Sequence, residues 1–234
     1  MKFNIKYIAI LMVAVLFFSS CSDELDLVPI TERAANNFYS TEPEQETAIA
    51  GVYAQLQNGG LYGLDLIGVG EISAEDAFEE IAANDGGRFG QLDDFSTNPG
   101  NDLVGDIWRE SYEGIQRVNV VLSRMDDIEY EEAALKSIRI GEMRFVRALL
   151  YYNLVRLYGD VPLVLEETVN PSDFFGQGRT AVTEVYTQIE TDLNEAFQLL
   201  PVEKGSGRPA KGSAQALLAD VQMTMVNYDL AVSN

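Results

Sequence analysis

The chain has no histidine and a single cysteine, Cys21, among its 234 residues. Without a second thiol no intrachain disulfide can form. Without histidine, a Ser-His-Asp or Cys-His nucleophilic system cannot be assembled in its usual form. The same shortage, with no EF-hand spacing, leaves no motif for a metal. Basic residues are also scarce, 16 against 37 acidic ones, for a net charge of −21. Such a surface has no basic patch for nucleic acid or for an anionic bilayer face. The carboxylates that remain, such as Asp93-Asp94 and Glu75-Asp76, could in principle serve glycoside hydrolysis from opposite sides of a bond. Adjacent positions in so acidic a chain carry little weight, and the expectation is a protein with no enzymatic activity, metal or cofactor. Long hydrophobic runs are equally rare. The one clear case, Tyr7 to Phe18, is twelve residues long, too short to span a bilayer as a helix.

That run makes sense as the apolar core of a secretory leader. Lys2 and Lys6 precede it, and Ser19 and Ser20 lead into Cys21. The A-x-A-like ending of an ordinary cleavage site is missing. F-S-S-C instead resembles a bacterial lipoprotein box, which makes residues 1–20 the signal peptide and Cys21 the lipidated first residue of the mature chain. Each buried CH₂ of an acyl chain contributes about 0.8 kcal/mol, so a multiply acylated cysteine holds a domain firmly at a membrane. Cleavage there removes two lysines and no acid, taking the net charge from −21 to −23. Residues 21–40 read as a polar tether.

Beyond the tether, helical periodicity dominates and no convincing alternating strand pattern occurs. Thr41 and Glu44 have capping-box spacing, with Pro43 in the first turn. Ala48, Ile49, Val52, Tyr53 and Leu56 share a face up to Asn58-Gly59-Gly60. Residues 59–103 are glycine-rich and read as an irregular excursion, with one short helix expected around Ala74–Ala83. A loop of that length is unusual unless it is functional. Ile107, Trp108, Tyr112, Ile115, Val118, Val121, Leu122 and Met125 mark a helix to about residue 125. Glu131 to Tyr158 is the strongest helical segment, apolar on more than one face and stopped by Gly159 and Pro162. Two more helices are expected over 180–200 and 211–227. Paired as 104–125 with 131–158, and 180–200 with 211–227, they predict an all-α, tetratricopeptide-like α-solenoid with long irregular loops.

Four segments in this order carry a family resemblance: WRESYEGIQRVNVVL (108–122), GEMRFVRALLYYNLVRLYGDVPLV (141–164), VYTQIETDLNEAFQLLP (185–201) and GRPAKGSAQALLADV (207–221). With the lipoprotein start and LDLVP at 25–29, they make the chain similar to the SusD/RagB family of outer-membrane lipoproteins. The resemblance implies a surface-exposed, lipid-anchored protein of the cell outer membrane. Such a protein binds an oligosaccharide or other nutrient and delivers it to a SusC-like TonB-dependent transporter. Ser-Asp-Glu behind Cys21 resembles the signal for the outer face. Family members are roughly twice as long, so residues 41–234 correspond to an incomplete N-terminal helical domain. A module that docks on the transporter without binding ligand is the alternative.

Among individual residues, Trp108 is expected in the core because it lies on a helical apolar stripe. Arg144 and Arg147 are expected to pair with an acid such as Glu142, or to lie along a groove between helices. The segment 84–101 offers Arg88, Phe89, Phe95, Asn98 and Asn101, an aromatic platform with planar hydrogen-bonding groups of the kind sugars need. The same loop would equally suit contact with the transporter. Phe174-Phe175 is a second exposed aromatic candidate. The membrane assignment rests on Cys21, and mass spectrometry of the mature N-terminus should find it acylated. A free, unmodified Cys21 removes the support for a lipid anchor.

Overall fold

The computed structural model describes residues 39–74, 76–79, 87–170, 172, 177–203, 205 and 207–225. Cys21, the leader, nearly all of the tether and Phe174-Phe175 lie outside them. The elements are α1 (Glu42–Gln55), an irregular turn (Gly59–Gly63), α2 (Asp65–Ser73), the single turn α3 (Gly90–Asp93), α4 (Asp102–Arg124), a 3₁₀ turn (Met125–Asp127), α5 (Ala133–Tyr158), α6 (Val182–Leu199) and α7 (Lys211–Thr224). The described residues contain no strand, only an isolated antiparallel bridge between Val161 and Thr180. Among the described residues no helix is long and apolar enough to cross a membrane.

Local chemistry sets these limits. At the start of α1 the Glu44 carboxylate accepts from the backbone N–H groups of Ser40 and Thr41. The Asn101 side chain caps α4 by accepting from the Leu103 N–H at 2.9 Å. Gly159 ends α5 at φ 70°, a conformation that costs a β-carbon energy but not glycine. Of the short helix expected around Ala74–Ala83, Ala74 is a turn and residues 76–79 are bend or irregular, while residues 75 and 80–83 lie outside the described residues. A helix without a sequence signal occupies Asp65–Ser73. Glycines 63, 68 and 70 obscured the spacing of Leu66, Val69 and Ile72, which pack with Leu92, Leu103 and Ile107 in a small second core.

The main core forms around α5, which packs against both α4 and α6, while α1 lies on α4 and α7 on α6. Val146, Leu150, Tyr151, Leu154 and Val155 of α5 are buried with Ile49, Val52, Ile115, Val118, Val185 and Ile189. This explains why its sequence is apolar on several faces. Close approach of α5 and α6 depends on Gly141, where a β-carbon would sit 2.9 Å from Leu199 Cβ.

Inside this core lies a charged hub. Arg147 donates from Nε and Nη2 to the two oxygens of Asp192, at 2.8 and 2.7 Å, and Asp192 is fully buried. The remaining Nη1 reaches Asn119 Oδ1 at 3.0 Å and the Leu165 carbonyl at 3.1 Å. Arg144 donates to the same carboxylate at 3.0 Å and pairs with Glu195. Both arginines therefore pair across to α6, not with Glu142. Glu142, itself buried, accepts from Arg139, Arg208 and Tyr53, joining α1 and α5 to the residues just before α7.

The hub also fixes the connector between α5 and α6. Residues 161–169 form an extended strap whose backbone is held by side chains of α4 and α5. Tyr112 OH donates to the Pro162 carbonyl at 2.7 Å, and Tyr151 OH to Val164 O at 2.8 Å. Asn119 donates to the carbonyls of Val164 and Glu166. The Gln116 amide exchanges two hydrogen bonds with the Thr168 backbone. Burial pushes the phenol groups of Tyr112 and Tyr151 well up, so both remain donors. The far end is clamped by Arg124, which donates to Glu167 from Nε at 3.1 Å and Nη2 at 2.7 Å, while Ser123 adds a third donor.

Two measurements test this framework. Asp192→Ala strands Arg147 in the core and should cost about 3–5 kcal/mol in denaturant unfolding, as for other broken buried pairs; a loss below 1 kcal/mol contradicts the hub. The hydrogen bonds from Arg124 hold the Glu167 carboxyl below the usual carboxylate range. Its contribution to stability is therefore present above that range and is lost as pH falls through the lowered value. Glu167→Gln should flatten that part of the stability–pH curve, and an unchanged curve would show that the clamp contributes nothing.

Candidate functional site

Five sequence-selected residues fall in and around the segment that joins α2 to α4. Arg88 bridges two carboxylates, Asp65 at the start of α2 and Asp106 in α4, the latter at 3.1 Å. Asp65 is buried, which pushes its carboxyl up against the downward pull of Arg88. The Phe89 ring packs in the second core so closely over Gly68 that a β-carbon there would collide with it. Asn101 donates to the Arg88 carbonyl at 2.9 Å and to Gln91 Oε1 at 3.0 Å, besides capping α4. These three residues form the base of the loop: Arg88 ties it to α2 and α4, Phe89 to the second core, and Asn101 to the Arg88 backbone and Gln91.

Phe95 and Asn98 lie at its rim. Phe95 is 73% exposed and holds φ 57°, a left-handed conformation unusual for an aromatic residue. Ser96 N–H donates to the Asp94 carboxylate, and Thr97 to the Gln91 carbonyl, so the backbone on either side is held. Asn98 is exposed; its Nδ2 donates to Gln91 Oε1 at 3.1 Å and its Oδ1 accepts from the Gly100 N–H. Gln91 is thus the organising residue that periodicity and motif reading pass over. Its only signal is an amide seven and ten residues before Asn98 and Asn101. Asp94 is engaged as a turn-capping carboxylate, and Glu75 lies outside the described residues. Among the described residues no group of three or more acidic, Cys or His side chains is placed to hold a metal.

A second feature was not selected from the sequence. A cleft of about 810 Å³ opens between α4 and the strap, with walls from Trp108, Tyr112, Ile115, Pro162, Val164 and Val169. Trp108 is half-buried, not enclosed. Its ring meets Tyr112 at 5.0 Å and, edge-on, Tyr158 at 5.1 Å, while its remaining surface lines the cleft.

Over residues 38–223 the sequence matches the SusD-like family described as starch-binding and associating with the outer membrane. The chain belongs to that family. Its relatives include SusD-like protein P2 of Formosa agariphila, 29% identical over 235 residues, covering 98% of this chain and 44% of the relative. A SusD-like protein of Bacteroides ovatus is 24% identical, over 92% of this chain and 38% of its own length. Among solved structures, a laminarin-binding SusD-like protein superposes with a TM-score of 0.74 at 30% identity, covering 83% of this chain and 42% of that one. A SusD-like protein of Bacteroides fragilis shares the fold at a TM-score of 0.71 and 23% identity. The chain therefore spans less than half the length of the relatives it matches, and the tetratricopeptide-like expectation agrees with the helical folds of these SusD-like neighbours.

Proposed function

We propose that this SusD-like chain is the N-terminal helical part of a glycan-binding lipoprotein of the outer membrane. It is anchored through Cys21, exposed at the surface, and hands its ligand to a SusC-like TonB-dependent transporter. On this reading residues 1–20 are the leader, 21–40 the tether and 41–234 the helical domain, with no chemistry of its own. Family membership and the laminarin-binding relative support the ligand class.

The observation that carries the proposal is Phe95. An aromatic ring left largely in water, on backbone held left-handed, costs stability twice over, and such outliers concentrate at functional sites. A pyranose presents an apolar face that stacks on such a ring, while its hydroxyls need planar amide partners. Asn98, three residues away, has one amide N–H and one carbonyl lone pair beyond its bonds to Gln91 and Gly100 for that role. Arg88, Phe89 and Asn101 then act through the loop: they hold its base, and the ligand meets the rim. The alternative, a docking module without ligand capture, is favoured by the fact that those three side chains are engaged within the domain.

Phe95→Gly separates the two readings, because glycine relieves the left-handed backbone by about 1 kcal/mol while removing the ring. The variant should be as stable as the parent or more so. In calorimetry against laminari- and malto-oligosaccharides it should bind at least about tenfold more weakly than the parent. Parent protein that binds none of these, or a variant that binds equally well, would falsify the assignment of Phe95.

A further inference from the structure

A smaller pocket, of about 300 Å³, lies between α2 and the last turns of α5. That is the lower end of the range for ligand sites and gives room for one ring. Leu66, Ile67 and Val69 of α2 and Leu157 of α5 supply apolar walls, and Tyr62, Asn153 and Arg156 the polar lining. Gly70 completes the α2 wall, where a β-carbon would meet nothing within 4 Å.

The polar lining is a chain of hydrogen bonds that all run one way. Arg156 Nη2 donates to Asn153 Oδ1 at 3.0 Å, and Asn153 Nδ2 donates to the Tyr62 hydroxyl oxygen at 2.8 Å. Asn153 is buried, so it anchors the chain, while Tyr62 and Arg156 reach the surface. The Tyr62 proton is left to donate, and burial pushes the phenol up, which keeps that proton in place. Arg156 also donates from Nε to the Tyr152 carbonyl. A guanidinium has five N–H groups, so these two bonds leave three. Its plane lies over the Tyr152 ring, 4.1 Å from the centroid, which fixes where those three point.

Arg156 is also unusual in its company. Arg139, Arg144 and Arg147 of the same helix each pair with a carboxylate. Among the described residues no carboxylate forms an ion pair with Arg156, in a chain of net charge −21. What the pocket has left to offer is therefore donors: one phenol proton and three guanidinium N–H groups. A carboxylate, with about four lone-pair sites on two oxygens, matches that set. The walls ask for an apolar body behind it. A uronic acid shares the carboxylate but brings ring hydroxyls to walls that cannot bond them.

We infer that this pocket binds a small monocarboxylate with an apolar body about one ring in size, its carboxylate held by Arg156 and Tyr62 and its body against Ile67 and Leu157. The site shares no residue with the Phe95 loop and stands independently of the glycan reading.

The probe is 4-fluorophenylacetate, whose ¹⁹F line broadens when it binds. The expected result is saturable broadening, half-complete at about 1 mM or below. Arg156→Met keeps an apolar stem over Tyr152 and removes the charge, and should weaken binding about tenfold or more. 4-Fluorophenylacetamide, the same ring without the charge, should bind the parent about tenfold more weakly. Gly70→Leu fills the pocket from a helical position where leucine is favoured over glycine. It should abolish binding while thermal unfolding stays at or above that of the parent. Phe95→Gly should bind the probe as the parent does, so the two sites fail or succeed separately. Three results overturn the inference: no saturable broadening, equal affinity after Arg156→Met or for the amide, or displacement of the probe by glucuronate at lower concentration than by phenylacetate.

Discussion

Everything in this domain is arranged around one buried ion pair. Asp192 is fully enclosed, and the cost of desolvating it is met only because three guanidinium N–H groups converge on its two oxygens. Such a pair is seldom a net source of stability compared with an apolar filling of the same volume. Its effect is geometric. It fixes the register of α5 against α6, and the remaining Arg147 nitrogen extends that registration to α4 through Asn119 and to the strap through Leu165. Three helices and a connector are thereby placed by one side chain.

A second network around Glu142 repeats the device at the other side of α5, this time joining α1 to the residues before α7. Arginine serves in both places because its planar fork can satisfy two carboxylate oxygens and still reach a carbonyl. In a chain with 37 acidic residues, most carboxylates lie on the surface and repel one another. Of the three acids buried among the described residues, Glu142 and Asp192 each command two arginines and Asp65 one. The scarcity of basic residues therefore matters structurally: arginines are committed where helices meet.

How far the sequence foretold this depends on the kind of signal. The long helices were legible because their apolar positions recur at 3.6 residues and their stops are glycine and proline, as at Gly159 and Pro162. The helix at Asp65–Ser73 was not, since three glycines in and just before it weaken the local preference and tertiary packing on Phe89 decides the outcome. Arg144 and Arg147 were readable as structural, but their partner lies 45 to 48 residues away on another helix, where no local spacing rule reaches. In the candidate loop, residue types were visible and roles were not. Nothing in one dimension distinguishes Asn101, which builds the loop, from Asn98, which stands at its edge.

The strap shows where the information for a structure can reside. A β-strand is normally held by a neighbouring backbone, so its path is written partly in its own side-chain alternation. Here the backbone of 161–169 is gripped by Tyr112, Gln116, Asn119, Arg147 and Tyr151, all on helices already formed around it. The instructions for that stretch are thus stored elsewhere in the chain, in polar side chains facing it from α4 and α5. Its own residues are correspondingly free to change what they show to the outside. A scaffold built this way can vary the wall of its cleft without rewriting its course.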